Sequence, residues 1–322
     1  MLLSLVTPSL NQAGFLRQCV DNVRRLGPAV EHIVSDGAST DGTLALLARA
    51  CGADGLPLRH ASAPDRGMYD ALNSGFALAR GEILGYLNCD DLLLPWAIET
   101  VVAAFQRRPD IDLVYGDAIE WRPDHDRCTL VVQPPAPLLQ TYLERGGHLA
   151  QPAVFFRRRL FERLGGFDGR FRLLGDHAFW LRALGAGARC VKTWECLAIQ
   201  RMVPGQLMDR FSTAVETERA EIQRLLDIRP PSSSDRRYVR RLYALQHRLA
   251  IAGLALQLAT PDALARRQWL PWQRTARSRF FEFASAAETR RALLGSTRDR
   301  RYLRPTAAGQ RALLPDSETV AP

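Results

Sequence analysis

A mainly parallel α/β sheet flanked by helices, followed by a helical C-terminal region, is the fold class this sequence predicts. Three observations predict it. Short apolar runs alternate with amphipathic segments through the first 118 residues. Turn and cap residues mark most of the changes. Several of the apolar runs end in aspartate. Strands separated by helices need crossover connections, which make neighbours parallel and place helices on both faces. Ligands of such sheets bind beyond the carboxyl ends of the strands.

The elements follow in order. "LLSLVT" (2–7) is a short buried strand. "GFLRQCVDNVRRLG" carries apolar residues at 15, 16, 19, 20, 23 and 26, a helical stripe stopped by Gly27-Pro28. "VEHIVSD" (30–36) is a second strand, and "STDGTLALLARACG" a helix capped by Ser39 or Asp41. "LPLRH" (56–60) is a third strand, "GMYDALNSGFALAR" (67–80) a helix and "EILGYL" (82–87) a fourth strand. "PWAIETVVAAFQRRP" is a helix with proline at its start, and "IDLVYGDA" (111–118) a fifth strand. Asp36, Asp90, Asp91 and Asp117 thereby fall at strand ends on one rim.

Residues 119–147 read as loops around a short hairpin, and 152–168 as a strand, a short helix and a turn. Residues 173–194 read as a helix opening near Asp176, then a strand, and a further helix runs from about Pro204 to Asp227. "RPPSSSD" (229–235) is a linker by composition. "RRYVRRLYALQHRLAIAGLALQLA" (236–259) is a long amphipathic helix, followed by the basic, aromatic-bearing stretch 266–283.

A chain of 322 residues, 47% hydrophobic and 24% charged, suits one large domain or two smaller ones and excludes a disordered class. Residues 1–210 hold 23 basic and 23 acidic residues, so the whole net charge of +9 lies beyond them. The basic residues there are interleaved with Leu and Ala, as in packed helices, and match no nucleic-acid module. Six cysteines without CxxC spacing read as buried hydrophobes. No signal peptide and no apolar run of about 18 residues is legible, so a cytoplasmic protein is expected. "TPSLNQAG" lacks the glycine-rich turn of a dinucleotide-dependent oxidoreductase.

The stretch "LNCDDLLL" (87–94) sets two adjacent acids between apolar runs. Such a pair repels and loses hydration, and a divalent cation, Mg²⁺ or Mn²⁺, is the natural compensation.

Five segments occur in order: "SLVTPSLNQ", "IVSDGASTDGT", "APDRGMYDALNSGFALARGEILGYLNCDD", "QPAVFFRRRLFERLGGFD" and "LLGDHAFWLRAL". In these the chain resembles the family-2 glycosyltransferases of the GT-A fold, over about residues 1–205. The GMYDALN segment resembles bacterial members that build capsule, exopolysaccharide or O-antigen. The resemblance implies a nucleotide-diphosphate sugar donor, UDP first among them. Pro8, Ser9 and Asn11 would frame the nucleoside, and Asp36 would accept a nucleobase N–H. Arg66, Asp70 and Asn73, spaced for one helix face, would serve the donor. Asp90 and Asp91 would hold the cation. Asn88 stands where the family usually has a further acid, and would contribute a carbonyl oxygen or bind ribose. Asp176 would be the catalytic base, although a helix N-terminus lowers a carboxyl pKa. Trp180, one turn on, faces either an acceptor sugar or the core.

The function so implied is an inverting, non-processive transfer to a hydroxyl of a glycan or lipid-linked acceptor. No QxxRW motif is present, which argues against a processive synthase. The alternative is a non-catalytic sugar-nucleotide-binding module, since Asn88 departs from the family pattern. The expected organisation is a catalytic domain over 1–228, a linker over 229–235, a basic helical region over 236–305 and a frayed tail over 306–322. The basic region is expected to meet an anionic membrane surface at the inner face of the cell membrane. No nucleic-acid partner is expected.

Overall fold

The structure, a computed structural model, describes residues 2–51, 58–123, 127–203, 206, 212–259, 281–283 and 303–305. The front half alternates as its patterning requires: β1 (Leu3–Ser9), α1 (Ala13–Arg24), β2 (Val30–Asp36), α2 (Thr43–Cys51), β3 (Leu58–Ser62), α3 (Met68–Leu78) and β4 (Ile83–Tyr86). Next come β5 (Leu92–Leu93), α4 (Ala97–Arg107), β6 (Leu113–Arg122), β7 (Arg127–Val131), α5 (Leu139–Glu144), β8 (Val154–Arg157), α6 (Arg158–Arg163), α7 (Gly175–Gly185) and β9 (Cys190–Arg201). The main sheet runs β3-β2-β1-β4-β8-β6-β9-β5, with β7 paired to β6.

β1, β2, β3 and β4 are mutually parallel, and β6 and β9 pair in parallel. β8 enters antiparallel between β4 and β6, so the sheet is mixed rather than continuously wound. Its insertion leaves β4 and β6 pointing the same way, with their carboxyl ends on one edge. One face of the sheet packs on α3 and α7 through Tyr69, Leu72, Phe76, Phe156 and Phe179. The other packs on α1 and α4 through Cys19, Val23, Ile98, Val101 and Phe105. Trp180 belongs to the first core, in edge contact with Phe156 and Phe179, and does not face a cleft.

Three expectations need correction. Asp117 is not at a strand end. β7 pairs with β6 from Ala118 to Arg122, which lengthens β6 and leaves Asp117 in mid-strand and fully buried. Its charge is met there at 2.9 Å by Lys192, the one lysine of the sequence. Residues 139–144, read as loop, form α5. In the stretch read as basic and helical, residues 281–283 and 303–305 form an antiparallel pair, β10 and β11.

Helix α8 (Ser212–Leu225) precedes α9 (Ser233–Ala259), which begins inside the stretch read as a linker. Asp235 anchors that start, accepting from Ser232 N–H and Oγ and pairing with Arg229 and Arg145. Val239 and Leu242 pack α9 on the core, and Tyr243 donates to the Leu130 carbonyl at 3.3 Å. The stretch 266–280, the tail 306–322 and most of 204–211 lie outside the described residues. Among the described residues no helix is long and apolar enough to cross a membrane.

Candidate functional site

The parallel register sets the rim. Ser9 stands opposite Asp36 and Val6 opposite Tyr86, so the loops after β1, β2 and β4 leave the sheet side by side. Cys89, just beyond β4, donates to the Pro8 carbonyl at 3.4 Å, and its thiol feels both Asp90 and Asp36. Burial is the larger influence, and it holds that thiol well above its ordinary range.

At the β1–β2–β3 corner, Asp36 is 2% exposed and turned inward. One oxygen accepts from Ser39 Oγ at 2.5 Å; the other accepts from Ser39 N at 2.9 Å and Ser62 Oγ at 2.7 Å. The expected nucleobase acceptor therefore ties the 37–42 loop to the end of β3, because three local donors reach it before any ligand. Asn11 does related work. It adopts φ 52°, which asparagine tolerates, donates its N–H to Ser39 Oγ, and accepts from Thr40 N at 2.8 Å. Asp41 accepts from Thr43 and from Ala13 N, joining α2 to α1. Pro8 is half-buried, and the Ser9 hydroxyl is buried. Pro8, Ser9 and Asn11 thus shape the loop beside β1 through its backbone.

Beyond β4 the two adjacent acids diverge. Asp90 is half-buried, with one oxygen accepting from Gln206 Nε2 at 2.8 Å. Asp91 is 2% exposed and accepts from the Arg201 backbone N–H at 3.0 Å, which joins the 88–91 turn to the end of β9. Burial, reinforced by Asp90, raises the Asp91 carboxyl well above its ordinary value. Asn88 donates to Gln151 Oε1 at 3.3 Å, and its own Oδ1 is buried without a hydrogen bond among the described residues. Gln151 in turn donates to the Tyr86 carbonyl at 2.8 Å. The Arg201 guanidinium packs over Phe15 and Trp121 beside the acidic pair and donates to Gln18 at 2.5 Å. Among the described residues no three His, Cys, Asp or Glu side chains gather as a metal cluster.

Across the rim, Asp176 sits in the first turn of α7, half-buried. One carboxylate oxygen accepts from Tyr69 Oη at 2.9 Å and from His177 N at 2.7 Å. Tyr69 reaches it from α3, and the buried Tyr86 ring from the end of β4 lies beside it. Burial raises the Asp176 carboxyl, and these donors offset only part of that rise. The expectation that the helix terminus would lower it is therefore overturned, because desolvation is the larger effect. His177 is held down to about 3 by burial and stays neutral. Glu218 of α8 accepts from the N–H groups of Arg172, Leu173 and Leu174, fixing the turn that delivers Asp176.

The triplet expected on one helix face is split. Gly67, at φ 135°, interrupts the helix, so α3 starts at Met68 and Arg66 lies in the preceding turn. Arg66 and Asp70 pair at 2.8 Å on the surface. Asn73 is turned to the 166–167 turn, where it both donates to and accepts from the Phe167 backbone at 2.9 Å. It joins α3 to that turn. Tyr69, Tyr86, Gln151, Arg201, Gln206 and Glu218 were not singled out from sequence. Tyr69, Tyr86 and Gln151 lie inside segments that carry the family resemblance, which is the signal that could have pointed to them.

Comparison with known proteins agrees in kind. Residues 4–165 match the family described as "Glycosyl transferase family 2". A "PGL/p-HBAD biosynthesis glycosyltransferase" of Mycobacterium bovis is 33% identical over 190 residues, covering 56% of this chain and 69% of that protein. S. aureus TarS 1-349 in complex with UDP-GlcNAc superposes with a TM-score of 0.55 at 14% identity, over 83% of each chain. The mannosyltransferase PcManGT from Pyrobaculum calidifontis, in complex with GDP-Man and Mn2+, gives 0.53 at 20% identity, over 82% of this chain and 78% of that one. These two likenesses show the GT-A-type fold.

Proposed function

The chain belongs to glycosyl transferase family 2 and is a glycosyltransferase; on that premise, we propose a single-displacement, inverting transfer from a nucleotide-diphosphate sugar to an acceptor hydroxyl. Asp176 is the base. It collects the acceptor proton as the oxygen attacks the anomeric carbon from the face opposite the diphosphate. The observation that carries this reading is the state of Asp176. It is a half-buried carboxylate at the rim, with its pKa raised by burial and its orientation fixed by Tyr69 and its own helix turn. A raised pKa makes it a better proton acceptor. Tyr69 is the positioning residue.

The residues beyond β4 fit a cation that arrives largely on the donor. Mg²⁺ and Mn²⁺ sites of this kind use one or two protein oxygens, with phosphates and water completing the shell. Asp90 supplies a half-exposed carboxylate and Asn88 an uncommitted carbonyl oxygen. Asp91 supports the turn from beneath. A cation held there would supply positive charge to offset the negative charge growing on the leaving diphosphate.

The acceptor is a hydroxyl of a glycan or lipid-linked glycan in cell-surface polysaccharide synthesis, reached at the cytoplasmic face of a membrane. Exposed Arg236, Arg237, Arg240, Arg241 and Arg248 on α9, with exposed Leu245 and Leu249, support contact with an anionic lipid surface. Flotation with anionic but not neutral vesicles, weakened by replacing these arginines, tests that contact. The transfer itself is tested by supplying labelled UDP-sugars, Mn²⁺ and candidate acceptors to the wild-type chain and to Asp176→Asn. Transfer by the first and not the second supports the reading. Nucleotide binding without turnover on any acceptor favours the binding-module alternative.

A further inference from the structure

The turn that carries Asp176 into α7 is held by two helices besides its own. Leu174 opens α7, its carbonyl accepting from Ala178 N at 2.9 Å, and its apolar side chain makes no cap. Glu218, half-buried on α8, supplies acceptors to the residues around it. One of its oxygens takes Arg172 N at 2.7 Å; the other takes Leu173 N at 3.0 Å and Leu174 N at 2.9 Å. Three consecutive backbone donors thus end on one carboxylate, and hydrogen bonds to a charged acceptor are the stronger kind. The same turn meets Tyr69 of α3. Its Oη lies 3.3 Å from the Leu173 carbonyl and 2.9 Å from Asp176 Oδ1. A Cβ on Gly175 would stand 2.6 Å from the Tyr69 ring, so the backbone there lies directly on that ring. Leu173 therefore has its N–H on Glu218 and its carbonyl beside Tyr69. α8 is itself anchored. Val215 and Ile222, which share a helix face with Glu218, are buried in the core that also holds Phe179 and Trp180 of α7.

We infer that Glu218 is a second positioning residue for the transfer, acting on Asp176 through the 172–174 turn. α8 is then a working part of the catalytic unit, although it lies beyond residues 4–165 that match the family. This rests on Asp176 being the base. A base must stand within hydrogen-bond reach of the acceptor hydroxyl, and a misplacement of about 1 Å can cost about 100-fold in rate. Asp176 lies in the first turn of its helix, where backbone N–H groups lack partners within the helix. The Tyr69 hydroxyl has one hydrogen for two acceptors, so it orients the carboxylate without also holding the turn. Glu218 takes that second task. Its bonds go to backbone N–H groups rather than to Asp90 or Asn88. Its loss should therefore slow the chemical step and spare nucleotide binding.

The test measures transfer and nucleotide binding separately on the full chain. Initial rates use the donor and acceptor that wild type turns over, and calorimetry uses UDP with Mn²⁺. Glu218→Ala is expected to lower kcat by about 10–100-fold and to leave the UDP Kd unchanged. Glu218→Gln keeps one acceptor oxygen, so its kcat should fall between those of Glu218→Ala and wild type. In an Asp176→Asn background Glu218→Ala should cost no further rate, because it acts through the carboxylate already removed. A folded Glu218→Ala with wild-type kcat overturns the inference. A loss of UDP affinity as large as the loss of kcat overturns it too, as does a full further loss on top of Asp176→Asn. Should Glu218→Ala melt early, Glu218→Gln decides: a reduced kcat with the UDP Kd held supports the role, and a wild-type kcat overturns it. Each of these failures leaves Asp176 standing as the base. Wild-type transfer by Asp176→Asn, or no transfer by wild type, removes the base and this role with it.

Discussion

The rim has two corners, each built around an aspartate at the end of an element, and the two are finished differently. At the β1–β2–β3 corner Asp36 is buried and takes three hydrogen bonds, from Ser39 twice and from Ser62. At the β4–α7 corner Asp176 is half-buried, accepts from Tyr69 and His177 N on one oxygen, and has its carboxyl raised by burial. The first is a tie between loops. The second is the carboxylate proposed as the base, with fewer donors on it. The difference teaches that residue type and strand-end position are not enough to assign a role. The number of donors already on the carboxylate decides whether it can still take a proton or a ligand.

The comparison breaks most sharply with the amide variant of each acid. Asp176→Asn is expected to lower transfer by about 10²–10⁴-fold, with the melting temperature and UDP affinity held. Asp36→Asn turns an amide N–H toward the Ser39 N–H or the Ser62 hydroxyl, and should cost about 1–3 kcal/mol of stability. Denaturant melts beside initial rates measure both. A slowed but fully stable Asp36→Asn, with an unfolded Asp176→Asn, would invert the two corners.

Chelation comes next in size. Removing divalent ions with EDTA should abolish most transfer, and Mn²⁺ should restore it. Asp90→Asn should need more Mn²⁺ for half-maximal rate, whereas Asp36→Asn should not. An EDTA-resistant enzyme would remove the cation from the proposed mechanism.

The pH profile sharpens the contrast further. The base must be ionised, so kcat/KM should fall as pH drops through the Asp176 pKa. Burial raises that pKa, which puts the acid limb above the roughly 3.9 of a free aspartate. Tyr69→Phe removes a donor that favours the ionised form, so the limb should move to still higher pH. A loss of rate at all pH values without movement of the limb would mark Tyr69 as a packing residue only.

The smallest effect is expected from Ser62→Ala. It removes one of Asp36's three donors and should cost about 0.5–1.5 kcal/mol by denaturant melt, with no change in the shape of the pH profile.

Much of the front half was legible. Alternating apolar runs and helical stripes located β1, β2, β4 and α1 to α4, since short-range periodicity sets those elements. Asp36-x-x-Ser39 is a local pattern, so part of the Asp36 tie was visible in the sequence. Other partners were not, because they come from far along the chain. Ser62 lies 26 residues from Asp36, Tyr69 lies 107 from Asp176, and Gln206 lies 116 from Asp90. The antiparallel entry of β8 was equally hidden, since a strand's residues do not state which neighbour it will take.

The sequence by itself determined the α/β order of the first half, the place of Asp36 at a strand end and of Asp90 and Asp91 just beyond another, and the ordered motifs that place the chain in its family. These follow from local periodicity and from residue identity. The tertiary structure decided which acids remain available. It buried Asp117 against Lys192, turned Asp91 to the Arg201 backbone, closed Asp36 with serines, and left Asp176 half-buried with Tyr69 and His177 N on one oxygen. The physical reason is that desolvation and hydrogen-bond saturation belong to a side chain's surroundings, and those surroundings are assembled from distant parts of the chain.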